Sequence, residues 1–419
     1  MKTSFPKDQI KAVLLEGIHP RAVEAFRAEG FKVESVAKAL EGRTLEKAVA
    51  DAHLVGIRSK TQVTPAVLGA APRLLAVGCF CIGTNQVSVG AACAAGVPVF
   101  NAPFSNTRSV AELTIAEVVA LYRRLADKSA EMHAGRWDKS SEGAHEVRGR
   151  TLGIVGYGRI GTQVSVLAEA MGMRVIYHDI VPKLPMGNAR PTRTLAELLE
   201  HADVVTLHVP ETPQTRGLVG KREIARMREG SHLINNARGG VVDLDALAAA
   251  LKSGRVAGAA LDVFPEEPAA RGEPFESPVR GLPNVILTPH VGGSTEEAQA
   301  AIADDVCAKL LKFVNVGTTT GAVNVPEVEL PEQQARDEDG HGGRGLRRHR
   351  ILHFHRNVPG VLSTMHAIIA KRGVNIAAEH LQTNRDVGYV VLDVDPTDAA
   401  PIVKALREVP ETIRVRVLW

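Results

Sequence analysis

Three side chains in this 419-residue chain have the right types and settings to oxidise a hydroxy acid. Arg238 follows the apolar run Leu233-Ile-Asn235, Glu267 follows Val263-Phe264, and His290 lies within Thr288-Pro-His-Val-Gly-Gly293. Each stands just past a run that reads as a strand. All three therefore belong to the carboxyl edge of a parallel sheet, where such sheets bind ligands. A guanidinium there can hold a carboxylate and polarise the neighbouring carbonyl. An imidazole can take the hydroxyl proton on oxidation and return it on reduction. A carboxylate beside the imidazole orients it and favours its charged form. Singly, each is an ordinary loop residue; their joint appearance on one edge points to hydride transfer.

Hydride transfer needs an acceptor, and a glycine turn supplies its cradle. In Thr151-Leu-Gly-Ile-Val-Gly-Tyr-Gly-Arg-Ile-Gly161, a short apolar strand runs into Gly156, Gly158 and Gly161, and an amphipathic helix follows to Met171. The first glycine makes the tight turn, the second lets backbone approach a pyrophosphate, and the third lets helix and strand pack closely. The helix start offers free N–H groups and a positive dipole end. A second strand, Val175-Ile-Tyr-His-Asp179, ends in an acid placed to hold a ribose 2′-hydroxyl, which favours NAD over NADP.

The elements that position these residues alternate strand and helix, the pattern of parallel α/β sheets. Strands are expected at 12–16, 31–36, 53–58, 74–78 and 97–100, with helices between. A long helix is expected from Asn106 to about Arg136, capped by Ser109 or a neighbour. The doubly wound nucleotide domain spans 107–292, inserted into a flavodoxin-like substrate domain made of 1–106 and 293–330. Residues 331–348, rich in charge and glycine, read as a flexible linker in preference to a basic patch. Residues 349–419 follow the order β-α-β-β-α-β, which is ferredoxin-like. Arg58-Ser-Lys-Thr61 lies past a strand end, where its two cations either hold an anion or simply face solvent. Gly78-Cys-Phe-Cys-Ile-Gly-Thr84 also follows a strand, and its N–H groups could hold a carboxylate. Trp137 reads equally as a core residue or an interface anchor.

Composition narrows the class. With 45% apolar and 23% charged residues the chain has an ordinary soluble globular composition, and a formal charge of +3 gives no argument for nucleic acid. No apolar run reaches the roughly 18 residues of a membrane span. The N-terminus lacks an apolar signal core. The four cysteines, Cys79, Cys81, Cys93 and Cys307, show neither C-x-x-C nor metal spacing, so free thiols in a reducing cytoplasm and no bound metal are expected.

Taken together, Gly78 to Gln86, Asn101 to Glu112, Gly153 to Gly161, Leu261 to Pro268 and Leu287 to Glu296 resemble the D-isomer-specific 2-hydroxyacid dehydrogenases. The chain is most similar to the branch that carries a C-terminal ACT-type regulatory domain, and only the linker falls outside the likeness. The resemblance implies catalytic roles for Arg238, Glu267 and His290. It implies cofactor contacts from the three glycines and from Arg159, Ile160, Asp179, Ala237, Asp262 and Gly293. Substrate contacts would come from Arg58, Lys60, Ile82, Gly83, Asn106 and Lys139. The implied reaction is NAD-dependent oxidation of D-3-phosphoglycerate to 3-phosphohydroxypyruvate, the first step of L-serine biosynthesis, with possible side activity on 2-oxoglutarate. A glyoxylate or hydroxypyruvate reductase is the alternative enzyme, and an NAD-sensing corepressor-like binding protein the alternative outside catalysis. L-serine bound at an inter-subunit seam by His355, Asn357 and Asn375 is the implied inhibitor, and a homotetramer the implied assembly. Two departures stand out. Asn236-Ala237 replaces the usual Ala-Ser before the catalytic arginine, and the segment from Arg336 to Arg348 is longer and more charged than usual.

Overall fold

Short β-branched runs fold as buried parallel strands, and the amphipathic runs between them fold as helices. The computed structural model describes residues 6–268, 272–332 and 348–418. It divides into two units, Phe104–Gln299 and the remainder, Met1–Pro103 with Ala300–Trp419.

The first sheet is built from β1 (Lys11–Leu14), α1 (Pro20–Ala28), β2 (Lys32–Ser35), α2 (Gly42–Val49), β3 (Leu54–Ile57), α3 (Pro65–Ala70), β4 (Ala76–Cys79), α4 (Val89–Ala94) and β5 (Val99–Asn101). Its strands are all parallel in the order β2-β1-β3-β4-β5, the flavodoxin-like arrangement.

The nucleotide unit holds α5 (Thr107–Tyr122), α6 (Leu125–His133), β6 (Thr151–Val155), α7 (Arg159–Ala170), β7 (Arg174–His178), β8 (Arg190–Pro191), α8 (Leu195–His201), β9 (Val204–Leu207), α9 (Lys221–Arg226), β10 (Ser231–Asn235), α10 (Leu244–Lys252), β11 (Val256–Leu261) and β12 (Val285–Leu287). The seven parallel strands run β12-β11-β10-β9-β6-β7-β8. Counted from β6 this is the doubly wound order, with one further strand on its edge. α5 and α7 cover one face, where Ala111, Val118 and Leu121 meet Val164, Ile154, Ile234 and Ala260.

The single helix expected over 106–136 is two helices. α5 ends at Tyr122, and Arg124 takes φ +50° before α6 begins. A left-handed residue cannot continue the helical hydrogen-bond run, so the chain turns there. The cap also differs from the expectation. Asn106 is the N-cap residue, and the Ser109 hydroxyl pairs with that of Thr295 at 2.9 Å. The short α3, β8 and α9 were not anticipated, because two to six residues carry too little periodicity to read.

After α11 (Glu296–Val316), the last segment forms β13 (His349–Arg356), α12 (Val361–Ala370), β14 (Ile376–Thr383), β15 (Val387–Val394), α13 (Ala400–Arg407) and β16 (Thr412–Leu418). The antiparallel sheet has the order β14-β15-β13-β16. Strand alternation gives it two buried faces. Ile351, Val390 and Leu392 pack on α12 and α13, whereas Leu352, Phe354, Tyr389 and Val391 join the core of α11 and the five-stranded sheet. Arg350, 1% exposed, pairs with Asp393 at 2.7 Å and donates to the carbonyls of Val316 and Pro331. Of the expected linker, residues 333–347 lie outside the described residues. All four cysteines are free thiols. Among the described residues no helix is long and apolar enough to cross a membrane.

Candidate active site

The glycine turn has the form its spacing demands. Gly156, at φ +92°, leaves no room for a Cβ against the His208 carbonyl, and a Cβ on Gly161 would collide with the Gly156 carbonyl. Nothing lies within 4 Å of the Cβ position of Gly158, so that side of the turn is open to a ligand. Gly158 is also the N-cap of α7 and offers no side-chain cap, which leaves the first N–H groups of a 12-residue helix free for an anion. Asp179 is tied to this turn. Its carboxylate accepts from Tyr157 N–H at 2.8 Å and from Val181 N–H at 2.9 Å. These residues fit a dinucleotide. Arg159 stacks on the ring of Phe104 at 3.8 Å, with Ile160 half-buried beside it. Ile180, 95% exposed, follows Asp179 and presents an apolar face to solvent. It was not singled out in the sequence, where one isoleucine after a strand looks like any other.

Three strand ends bring Arg238, Glu267 and His290 together. Past β10, Asn235 is fully buried and pins the turn, accepting from Ala237 N–H at 3.1 Å and donating to the Arg238 carbonyl at 3.0 Å. Gly239 follows because a Cβ there would overlap the backbone of Phe264 and Pro265. That contact sets the arginine turn against the glutamate loop. Past β11, Glu267 accepts from Phe264 N–H at 3.2 Å. Its other oxygen lies 2.9 Å from His290 Nδ1. Nδ1–H pointing at the carboxylate leaves Nε2 free to exchange a proton. The hydrogen bond that His290 donates to Glu267 raises the His290 pKa; burial and the Arg238 charge oppose it, while the charges of Glu267 and Asp262 add to it. Burial works against the charge of Glu267, but the bond to His290, its charge and Phe264 N–H hold that carboxyl below its ordinary range.

The loop that carries His290 is folded around Asp262. This acid is 2% exposed, and its carboxylate accepts from the Thr288 hydroxyl at 2.6 Å, Val291 N–H at 2.8 Å and Gly292 N–H at 2.7 Å. His290 itself sits at φ +55°, held by its N–H to the Asp262 carbonyl at 2.8 Å. A non-glycine residue in that region persists only where its surroundings fix it, and such residues cluster at functional sites. Gly293 packs so closely on the Asn106 amide that a Cβ would not fit.

The remaining expected substrate residues fall into two groups. In the five-stranded sheet, the Arg58–Thr61 turn wraps the carboxylate of Glu16, which accepts from the N–H of Arg58 at 3.1 Å, Lys60 at 3.0 Å and Thr61 at 2.8 Å. Gln86 donates to the carbonyls of Arg58 and Gly83, and Asn101 donates to that of Ile82. Arg58, Lys60, Ile82 and Gly83 thus share one edge. Lys139 is exposed on the segment after α6, next to Trp137, which is 79% exposed. Glu16 carries no local signal in the sequence, because its partners are more than 40 residues away. In the last domain His355 is buried in β13, while Asn357 and Asn375 are exposed at opposite ends of α12.

Residues 115–292 match the model of the D-isomer specific 2-hydroxyacid dehydrogenase NAD binding domain, and residues 351–414 match the AHAS small subunit-like ACT domain. The chain belongs to the D-isomer specific 2-hydroxyacid dehydrogenases, NAD-dependent oxidoreductases, and carries an ACT domain at its C-terminal end. It is 51% identical, over its full length and 99% of the relative, to a protein of Haemophilus influenzae named D-3-phosphoglycerate dehydrogenase. Proteins of the same name from Escherichia coli K12 and Dictyostelium discoideum are 50% and 49% identical, each covering the whole chain. Among solved structures, the TT0316 protein of Thermus thermophilus is similar at 33% identity and TM-score 0.67, over 75% of this chain and all of that one. The D-lactate dehydrogenase of Aquifex aeolicus, solved with NAD and lactic acid, is similar at 29% identity and TM-score 0.63, over 72% of this chain and 95% of that one.

Proposed function

We propose that this chain oxidises D-3-phosphoglycerate to 3-phosphohydroxypyruvate with NAD, the first step of L-serine biosynthesis. The observation that carries the chemistry is the His290–Glu267 pair at 2.9 Å, beside Arg238 on the edge where the glycine turn opens. The name shared by full-length relatives near 50% identity supports the choice of substrate. NAD, when bound, would supply the acceptor for the hydride that leaves the substrate C2. Arg238 holds the carboxylate and keeps C2 oriented. His290 Nε2 takes the hydroxyl proton as the carbonyl forms, and Glu267 stabilises the resulting imidazolium. Asp179 holds the ribose, with Arg159, Ile160, Ala237, Asp262 and Gly293 completing the cofactor site. The phosphate falls to Arg58, Lys60 and Lys139, and the substrate domain comprises 1–106 and 293–330.

The ACT domain is read as a feedback sensor for L-serine. Asn357 follows β13 and Asn375 precedes β14, and the register His349–Val394–Ile376 sets them at opposite ends of the sheet, about 23 Å apart along the strands at ~3.3 Å per residue, so one copy cannot close both around one amino acid. Two copies pairing their domains can, and on this reading serine lies between subunits with His355 beside it. The exposed Trp137 suits a second contact between nucleotide domains, and a cytoplasmic homotetramer accommodates both. The test is NADH formation from D-3-phosphoglycerate with the product trapped; no NADH would sink the reading. Rates with and without millimolar L-serine, on wild type and Asn357→Ala, test the sensor. The wild type should be inhibited and the variant spared.

A further inference from the structure

Beneath the arginine turn lies a buried acid that the proposed reaction does not use. Glu117, on the third turn of α5, is 3% exposed, and Asn236, one residue past β10, is 8% exposed. The Asn236 amide nitrogen donates to Glu117 Oε2 at 2.6 Å and to Thr114 Oγ1 at 3.1 Å. The Thr114 hydroxyl proton is committed to the Val110 carbonyl at 2.9 Å, so Thr114 can only accept from Asn236. Both amide protons are therefore used. Two oxygens remain, Glu117 Oε1 and Asn236 Oδ1, each buried and each without a partner.

An ionised Glu117 would leave both of these acceptors unsatisfied, one of them on a charged group. Buried polar groups rarely stay unpaired, because each forfeits its hydration without return. No cation is bonded to Glu117 among the described residues. The charged group that acts on it is Asp262, of the same sign, and burial with that repulsion pushes the Glu117 carboxyl up to about 7 against the opposing bond from Asn236. A proton on Oε1 removes the conflict. The acid O–H then supplies the donor that Asn236 Oδ1 lacks, while Oε2 accepts from Asn236 Nδ2; together these would form the two-point pairing of a carboxylic acid with a primary amide.

We propose that Glu117 is held as a neutral carboxylic acid and that its acid–amide pair with Asn236 is the positioning element that fixes the Arg238 turn to α5. Asn235 pins the turn from the sheet side through Ala237 and Arg238, and Asn236 pins it from the helix side. The positioning role rests on the reading of Arg238 above; the protonation state does not.

Infrared spectra of the full-length protein at and below neutral pH test the protonation. The wild type should show a carboxylic-acid C=O band that moves with carbon-13 glutamate labelling and is absent from Glu117→Gln. No such band overturns the proposal, whatever the activity. Kinetics test the positioning. Glutamine can pair with Asn236 through the same two points, so Glu117→Gln should rescue most of kcat/KM. Glu117→Leu removes the pair and should raise KM for the hydroxy acid about tenfold or more, with KM for NAD unchanged, since small displacements of a binding group cost such factors. Asn236→Ala, which leaves the acid in place, should shift the same KM if Glu117→Leu does not fold. Equal loss in Glu117→Gln and Glu117→Leu, or an unchanged hydroxy-acid KM in Glu117→Leu or, where that variant does not fold, in Asn236→Ala, would refute it. A wild type inactive on every 2-hydroxy acid would instead refute the functional reading and leave the infrared result standing.

Discussion

Two loops that carry residues of the proposed site are folded around a carboxylate, and the two carboxylates sit at different depths. Asp262 is almost wholly buried and gathers one hydroxyl and two backbone N–H groups, which delivers His290. Glu16 is half-buried and gathers three backbone N–H groups of the turn that carries Arg58 and Lys60. The same device serves different tolerances. A proton is exchanged only within hydrogen-bond reach, so the loop that carries the base needs a rigid, desolvated anchor. A guanidinium or ammonium attracts a phosphate over several ångströms, because Coulomb energy falls only as the inverse of distance. On the proposed phosphate role of Arg58 and Lys60, a partly hydrated anchor suffices for that loop.

The contrast can be broken most sharply at the proton. His290→Asn should lower kcat by about 10²- to 10⁴-fold with KM changed little, because the base is lost and the carboxylate site is not. Steady-state rates decide, and a kcat near wild type would remove His290 from the reaction. The substrate loop should respond differently. Arg58→Ala should raise KM for the phosphorylated substrate about ten- to a hundredfold, the worth of one charge-assisted hydrogen bond of ~1.5–3 kcal/mol. It should leave unphosphorylated 2-oxo acids nearly untouched, and equal effects on both would withdraw the phosphate assignment. The smallest effect is a displacement in pH. Oxidation needs neutral His290, so the rate rises with pH through its pKa, which Glu267 raises. Glu267→Gln should move that limb to lower pH while reducing kcat. A limb that stays in place would show that another group titrates.

The nucleotide site was the most legible part of the chain, because its signals are local. A tight turn needs Gly156, a close approach needs Gly161, and both requirements show in the sequence as spacing. The trio was legible for a related reason, since strand ends in a parallel sheet share one edge. The break at Arg124 was not, because nothing in its neighbours' helical periodicity forbids a continuous helix. The departure at Asn236 was visible as a departure, but its meaning was hidden, because its partner Glu117 lies 119 residues earlier. Asp262 was expected as a cofactor contact, and its carboxylate is bonded to the loop that carries His290.

By itself the sequence determined the order of the longer strands and the doubly wound pattern they belong to, the phosphate-accepting turn and the residue types at the sheet's edge. Each of these follows from periodicity or from the steric needs of one residue. Only the tertiary structure decided which acids act as anchors. A carboxylate's role is set by the N–H groups that reach it and by its depth from water. For Glu16, Glu117 and Asp262 those partners are brought in by strands and helices distant in the chain.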